Sequence, residues 1–233
     1  MPGITRMNNF TSSGSFRPIL TLMVALPLLA FANSSAFAEG KMNMIQIDRM
    51  TTGMPPAGFS FARTGRGTPG KWTVVADPTA KAGVAIEQTS TDTTDYRFPL
   101  AISDTISAKN LRAEVRFKVV GGKIDRAGGI AVRVEDFDNY YIVRANALED
   151  NVRFYRVVSG KREQLGTANI KVTSGEWHTL ALEAQDQRFA VSYDGATLFE
   201  VTDSTFDQPG GVALWTKADS VTRFDSMTIT PLP

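Results

Sequence analysis

The stretch GGIAVRVEDFDNYYIVRANALEDNVRFY, residues 128–155, alternates apolar residues with arginine, tyrosine and acidic side chains. Alternation over short segments is typical of strands with one buried face. Three strands are predicted here, at residues 130–134, 140–146 and 152–155. Two acidic turns, residues 135–139 and 149–151, join them, since Asp and Asn favour turn conformations. We therefore predict an antiparallel meander with polar side chains on one face.

The clearest strand of the chain precedes this meander, at residues 111–119. Apolar and charged residues alternate along its whole length, so one face should be buried and the other should face water. The face expected to be buried comprises Leu111, Ala113, Val115, Phe117 and Val119. The face expected to be exposed comprises Arg112, Glu114, Arg116 and Lys118.

The remaining sequence predicts more short strands and no sustained helical period. Turn signals recur roughly every eight to twelve residues, which is typical of sandwiches and jelly rolls. Residues 53–70 lack periodicity and are predicted to be a loop. Residues 96–102 contain Pro99 and are predicted to be at best an edge strand. The fold class predicted is all-β, a two-sheet antiparallel jelly-roll sandwich.

The amino-acid composition limits the class of protein and the kinds of site that the chain can have. Of 233 residues, 42% are hydrophobic and 21% charged, which is ordinary for a globular chain. The sequence contains no cysteine, which excludes disulfides, thiolate metal sites and cysteine nucleophiles.

The first 38 residues are predicted to be a cleavable signal peptide. Arg6 and Arg17 precede and flank the apolar run at residues 19–31, and Ala36-Phe37-Ala38 is a small-residue cleavage site. The run is shorter than the roughly 20 apolar residues that span a bilayer. We expect residues 39–233 to form a single domain, periplasmic or secreted, with no stable membrane insertion after cleavage.

Removing the leader, which carries two arginines and no acid, changes the formal net charge from +1 to −1. A near-neutral chain does not suit a dedicated nucleic-acid binder, whose affinity rests on many phosphate contacts. We therefore expect no nucleic-acid partner.

Four motifs in order carry a family resemblance: GGIAVRVEDFDNYYIVRANALEDNVRFYRV, GEWHTLALEA, SYDG and GGVALWTKADSVTRFDSMTI. Together they resemble the concanavalin A-like, laminin-G-like jelly-roll superfamily. The resemblance is closest to secreted bacterial proteins grouped with the 3-keto-disaccharide hydrolase-like family, and it covers roughly residues 111–229. It implies two antiparallel sheets packed face to face, with a concave face that in many relatives faces sugar.

Two departures from the related enzymes bear on activity. Jelly-roll hydrolases of the laminarinase type carry Glu-x-Asp-x-x-Glu on one strand, whereas this chain contains no Glu-x-Asp. The 3-keto-disaccharide-acting relatives carry Gly-Tyr-Glu-x-Gln where this chain has Asp138-Asn139-Tyr140-Tyr141. We predict non-catalytic binding of a glycan or small saccharide. Two alternatives stay open, a glycoside-active enzyme of the 3-keto-disaccharide hydrolase-like kind and a structural or adhesion module.

The candidate ligand surface is the polar face of the meander. Residues two or four apart share a strand face, and pairing across residues 149–151 would bring two such rows side by side. Guanidinium groups, an amide and aromatic rings suit sugar hydroxyls or carboxylates. The same rows also suit a salt-bridged outer face. The predicted ligand-binding residues are Arg133, Tyr140, Arg144, Asn146, Arg153 and Tyr155.

Calcium is the one cofactor that the sequence leaves open. The acidic turn with Glu135, Asp136 and Asp138 offers closely spaced carboxylates, although such residues also cap their own turns in solvent. The resemblance implies a second candidate ligand, Asp225, because related jelly rolls often hold structural calcium near their terminal strands.

Two aromatic side chains have competing interpretations. His178 is the single histidine and shares a strand face with Leu180 and Leu182. A hydrogen-bonded, half-buried structural histidine is the favoured interpretation, because no partner for catalysis or metal binding is evident. Trp215 either stacks on a sugar ring or closes the core, and the core is favoured because tryptophan buries a large area.

Export predicts a defined new N-terminus. Protein recovered from the periplasm or the medium should have the intact mass of a chain that begins at Glu39, because the Ala-x-Ala site precedes it. Recovery of a membrane-bound species that retains Met1 would contradict the prediction.

Overall fold

The computed structural model describes residues 42–233, together with Gly3. Apart from Gly3, the predicted signal peptide and its cleavage site lie outside these residues. In the described part, Ile47–Arg49 form a 3-10 turn, and no helix is long and apolar enough to cross a membrane. The strands are β1 (Asn43–Met44), β2 (Phe59–Gly65), β3 (Trp72–Ala76), β4 (Val84–Gln88), β5 (Arg97–Ser103), β6 (Leu111–Gly121), β7 (Ala127–Asp136), β8 (Asn139–Asn146), β9 (Asn151–Val158), β10 (Lys161–Asn169), β11 (His178–Gln185), β12 (Arg188–Tyr193), β13 (Ala196–Thr202), β14 (Gly211–Thr216) and β15 (Val221–Pro231).

These strands form two antiparallel sheets. Sheet A has the order β13-β12-β11-β6-β15-β4-β3, with β1 added beside β15. Sheet B has the order β10-β9-β8-β7-β14-β5-β2, and its central part is the predicted meander. The two sheets pack face to face, so the predicted all-β jelly-roll sandwich is confirmed.

The core lies between the two sheets. The alternate residues of β6 from Leu111 to Val119 are all buried, as predicted. Sheet B contributes aromatic side chains from the opposite side, and the ring centres of Tyr141 and Phe154 lie 4.5 and 5.1 Å from that of Phe189. Aromatic contacts at this range add to the energy of simple area burial.

Lys118 departs from the predicted pattern because it is buried. Its Nζ lies 2.5 Å from Asp77 and donates a hydrogen bond of 2.8 Å to Thr79. The ammonium also lies 4.6 Å from the Trp177 ring centre. The segment between β3 and β4 folds over this part of sheet A, so the expectation of an exposed Lys118 was wrong.

Two further predictions were wrong on the β2–β5 pair. Residues 59–65, predicted to be part of a loop, form β2 and pair with β5 along its whole length. Strand β2 is an edge strand of sheet B and is held by backbone hydrogen bonds to β5 alone. Such pairing does not depend on alternating hydrophobic side chains, so the sequence pattern did not reveal the strand. Strand β5 is not an edge, because it lies between β14 and β2. Pro99 is tolerated because pairing with β14 involves only Leu100–Ile102.

The adjacent glycines of β7 are packed on opposite faces. A Cβ atom on Gly128 would lie 2.8 Å from Thr222 and 2.9 Å from Phe117, in the core. A Cβ on Gly129 would lie 2.5 Å from the backbone oxygen of Val143, on the outer face of sheet B. Both approaches are closer than carbon contacts allow, so β7 has no room for a side chain at either position.

Phe117→Ala should lower the free energy of unfolding by roughly 3 to 5 kcal/mol, because it removes a fully buried ring and leaves a cavity. Chemical denaturation of the described domain measures the change. Phe61→Ala, at an exposed site on β2, is the matched control and should change stability little. Equal effects of the two substitutions would contradict the assignment of the core.

Candidate functional site

Sheet B curves strongly, and the face turned away from sheet A is concave. The guanidinium carbon of Arg162 lies 4.7 Å from the Phe98 ring centre and 4.4 Å from the Tyr155 ring centre. Phe98 is on β5 and Tyr155 is on β9, and in a flat sheet four strand spacings would separate these strands by about 19 Å. We call this surface the concave face.

Aromatic groups fill one part of the concave face. Trp215 stacks on Phe98 with ring centres 5.2 Å apart, and its Nε1 donates a hydrogen bond of 3.4 Å to the Tyr140 hydroxyl. That hydroxyl also bonds Thr64 at 2.7 Å, and burial raises the pKa of Tyr140 to about 12. The interpretation of Trp215 as a buried residue is confirmed, although it packs on the concave face and not between the sheets.

A register row runs from these aromatic groups toward the turn between β8 and β9. Leu100, Trp215, Gly129, Arg144 and Arg153 are successive partners across five strands. The predicted pairing of the rows on β8 and β9 is confirmed. Two arginines thus lie directly opposite each other, an arrangement that is unfavourable unless an anion lies between them.

Glu149 supplies that anion. Its Oε2 lies 2.9 Å from Nη2 of Arg144 and 3.3 Å from Nη1 of Arg153. Asn151 donates to the same oxygen at 3.2 Å, and Arg144 also donates to Asn151. Burial raises the pKa of Glu149, but Arg144 and Asn151 outweigh burial and lower it overall. The carboxylate therefore stays ionised between the two arginines.

Asn146 connects this carboxylate to a second one. Its Nδ2 donates to Glu149 Oε1 at 3.1 Å and to Asp125 Oδ1 at 2.7 Å, and Asp125 forms an ion pair with Lys217. Burial raises the pKa of Asp125 despite Lys217, so the two linked carboxylates are shifted in opposite directions. We call this group the polar cluster, which comprises Asp125, Arg144, Asn146, Glu149, Arg153 and Lys217.

The structure corrects the predicted exposure of the ligand-binding residues. The expected solvent-facing surface was wrong for all of them except Arg153, which is partly exposed. The curvature of sheet B turns the others inward, apart from Arg133, which a bulge redirects. Arg144, Asn146, Arg153 and Tyr155 do come together, and Tyr140 lies on the same face. Their binding of a ligand stays a prediction. The buried residues are Arg133, Tyr140, Arg144, Asn146 and Tyr155.

Arg133 lies away from the others. The register of β7 and β8 shifts between Val132 and Asp136, and Arg133 has a left-handed φ of 49°. Its guanidinium donates to the backbone oxygens of Lys109, Phe206 and Asp186 at 3.0, 2.7 and 2.6 Å. An open cavity of about 620 Å³ lies beside Arg133. Each of the three guanidinium nitrogen atoms of Arg133 already donates a hydrogen bond to a backbone carbonyl. Strand parity failed here because the bulge redirects the side chain.

Sequence reasoning missed three members of the polar cluster. Glu149 was interpreted only as part of the acidic turn at residues 149–151, and Lys217 was not singled out. Asp125 follows the β6 strand in a loop, with no neighbouring motif that marks it. The contacts of Asp125 and Lys217 join segments far apart in the chain, so a single sequence carries no local signal for them. Glu149, in contrast, lies within five residues of its partners.

His178 is a hydrogen-bonded structural residue, as predicted. Its Nδ1 lies 2.8 Å from Asp194 Oδ2, and its Nε2 lies 3.2 Å from the backbone oxygen of Thr173. The ring also stacks on Tyr193 with centres 5.1 Å apart. Both nitrogens are therefore engaged.

Two of the candidate calcium ligands, Asp136 and Asp225, have partners within the protein. Asp136 accepts hydrogen bonds from the backbone nitrogen of Asp138 at 2.7 Å and from Asn139, which caps the turn. Asp225 accepts from the backbone nitrogen of Lys81 at 2.8 Å and forms an ion pair with Arg116. In residues 42–233, no three acidic or histidine side chains converge as a metal site would require. Calcium binding stays a prediction.

Glu149→Gln should destabilise the protein by about 1 to 2 kcal/mol near neutral pH, because it removes the charge between two opposed arginines. The pKa of Glu149 is lowered in the fold, so its contribution is present above the ordinary value of 4.5 and is lost as pH falls through the folded value. Denaturation of both proteins from pH 7 to pH 3 should show the difference shrinking. The control Glu200→Gln breaks an exposed pair with Arg188 and should cost less. A constant difference across this pH range would contradict the bridging role.

No protein-family model and no curated protein matches the chain. Solved structures do match. The carbohydrate-binding module CBM66 from Bacillus subtilis has a TM-score of 0.59 at 19% identity, over 73% of this chain and 94% of that chain. A Bacillus licheniformis beta-glucanase has a TM-score of 0.54 at 12% identity, over 83% and 99%. A Bacillus subtilis protein of unknown function with a galectin-like fold has a TM-score of 0.52 at 8% identity, over 73% of this chain and 89% of that chain. At these identities the likeness concerns the fold alone, and it agrees with the two-sheet jelly roll that the sequence predicted.

Proposed function

We propose that this chain is an exported carbohydrate-binding protein, periplasmic or secreted, that holds a saccharide at the polar cluster of its concave face. The observation that carries the proposal is the polar cluster itself. It places guanidinium and ammonium donors, carboxylate acceptors and a carboxamide beside the Tyr155 ring. Sugar hydroxyls need donors and acceptors together, and a few convergent polar groups fix the orientation of a small ligand.

The cluster is held in place before any ligand arrives. Arg144 and Asn146 are buried and hydrogen-bonded, whereas the side chains of Glu149 and Arg153 are each 34% exposed. Buried partners thus fix the exposed groups from behind. A site organised in this way loses little conformational entropy on binding, which favours recognition of a small ligand.

The fold comparison supports the same class of function. One matching structure is named as a carbohydrate-binding module and another as a beta-glucanase. Both proteins share the two-sheet architecture with this chain at low identity. Their names support a saccharide ligand for this chain, while the polar cluster supplies the residues.

A glycoside-active enzyme is the second candidate, and one observation favours it. Asp125 and Glu149 share the Asn146 amide and have pKa values shifted apart, as an acid and base pair requires. Asp125, however, is buried and paired with Lys217, which leaves it little access to a scissile bond. Binding without turnover is therefore the preferred function.

The test is a glycan array on the mature chain, residues 39–233, followed by calorimetry on the best ligand. Arg153→Ala should weaken binding at least tenfold, because Arg153 is the exposed donor of the cluster. Arg188→Ala is the matched control, since Arg188 pairs with a glutamate on the outer edge of sheet A, and it should bind as the unchanged protein does. Equal affinity of the two variants would contradict the site.

Turnover is tested on the same protein with glucosides and 3-keto-glucosides. We expect no release of product above the buffer rate. Measurable hydrolysis that Asp125→Asn abolishes in a folded variant would instead establish the enzyme candidate.

A further inference from the structure

Three arginines on the concave face have buried N–H groups without an acceptor. These are Nε of Arg144, Nε of Arg153 and Nη1 of Arg162, none of which has a hydrogen-bond partner among the described residues. Buried polar groups are nearly always hydrogen-bonded in folded proteins. Three unsatisfied donors of one chemical kind in one region indicate an acceptor that the chain itself does not provide.

The three side chains meet around Tyr155. The guanidinium carbon of Arg162 lies 4.4 Å from the Tyr155 ring centre, and that of Arg144 lies 5.9 Å from it. Nη2 of Arg144 also donates to the Tyr155 hydroxyl at 3.2 Å. Arg153 lies opposite Arg144 in the register and shares Glu149 with it. The unsatisfied donors thus belong to three neighbouring side chains.

The charges in this region do not balance. Glu149 and Asp125 face four cations, because Arg162 joins Arg144, Arg153 and Lys217. Arg162 forms no ion pair with a carboxylate of residues 42–233, and burial lowers its pKa, as does Arg144. An unpaired charge withdrawn from water is costly unless an anion compensates it.

We propose that the concave face binds an anionic saccharide, whose carboxylate or sulfate accepts hydrogen bonds from Arg162 and Arg153, the two partly exposed arginines of this group. The inference rests on the proposed saccharide site and names its ligand class. Two oxygens of an anionic group match the planar fork of a guanidinium, and such charge-assisted bonds are stronger than neutral ones. The sugar ring would then lie at the solvent side of the polar cluster, beside Arg153 and Glu149, since Arg162 covers the Tyr155 ring.

The experiment compares matched ligand pairs by titration calorimetry on residues 39–233. Trigalacturonic acid is paired with its methyl ester, and dextran sulfate is paired with dextran. We expect at least a tenfold preference for the charged member of one pair, and a preference that falls as sodium chloride is raised. The first pair reports a carboxylate ligand and the second reports a sulfate ester.

Variants assign the preference to the site. Arg162→Gln should remove the preference for the charged member, and Arg162→Lys should restore part of it, because Lys keeps the charge without the fork. Arg188→Gln is the control on the outer edge of sheet A and should keep the full preference. Loss of the preference in both glutamine variants would mean nonspecific attraction and would overturn the inference.

Thermal unfolding separates a ligand-binding Arg162 from a structural one. Without ligand, Arg162→Gln should unfold at the same temperature as the unchanged protein or at a higher one, because an uncompensated charge is removed. A fall of several degrees would show that the guanidinium stabilises the fold through Tyr155 and Phe98, and would overturn the inference. Binding of neutral sugars at the polar cluster, with no preference for the charged member of either pair, would refute the inference but leave the proposed function standing. An absence of binding to any array glycan and to both ligand pairs would refute the proposed function with it.

Discussion

The central strands of sheet B are buried on both faces, and this constraint governs the rest of the molecule. Residues 127–134 and 140–146 are all buried, although antiparallel sheets commonly leave one face to water. Every charged side chain on these strands must therefore find its partners inside the protein. Arg133 finds three backbone carbonyls, and Arg144 finds Glu149 and Asn151.

The same constraint explains why the polar cluster is both rigid and incompletely satisfied. Its buried members are fixed by specific hydrogen bonds, but Arg144 retains an N–H without an acceptor. Folding alone would favour apolar groups at such positions, since ion pairs withdrawn from water rarely repay their desolvation. A site that departs from local stability rules in this way is the expected place for function.

The alternation in β6 and the pairing of Arg144 with Arg153 could be predicted, because strand periodicity and a short turn determine them. The exposure of the meander could not, because it depends on the curvature of a whole sheet. Arg133 escaped prediction because a bulge breaks strand parity. The burial of Lys118 could not be predicted because residues 77–83 fold back over sheet A. The place of Asp125 in the polar cluster could not be predicted because its partner Asn146 is on another strand. In each case the deciding contact is long-range.

The glycine pair of β7 has a consequence for how such a protein can change its ligand. Gly128 leaves no space for a side chain on the core face and Gly129 none on the concave face, so neither position can be enlarged by substitution. Variation has to enter through the turn at residues 147–150, where Leu148 is exposed and Glu149 reaches into the polar cluster. Exchanging this turn while keeping β7 intact is thus the natural route to retarget the domain to a different sugar, in the laboratory or over evolutionary time.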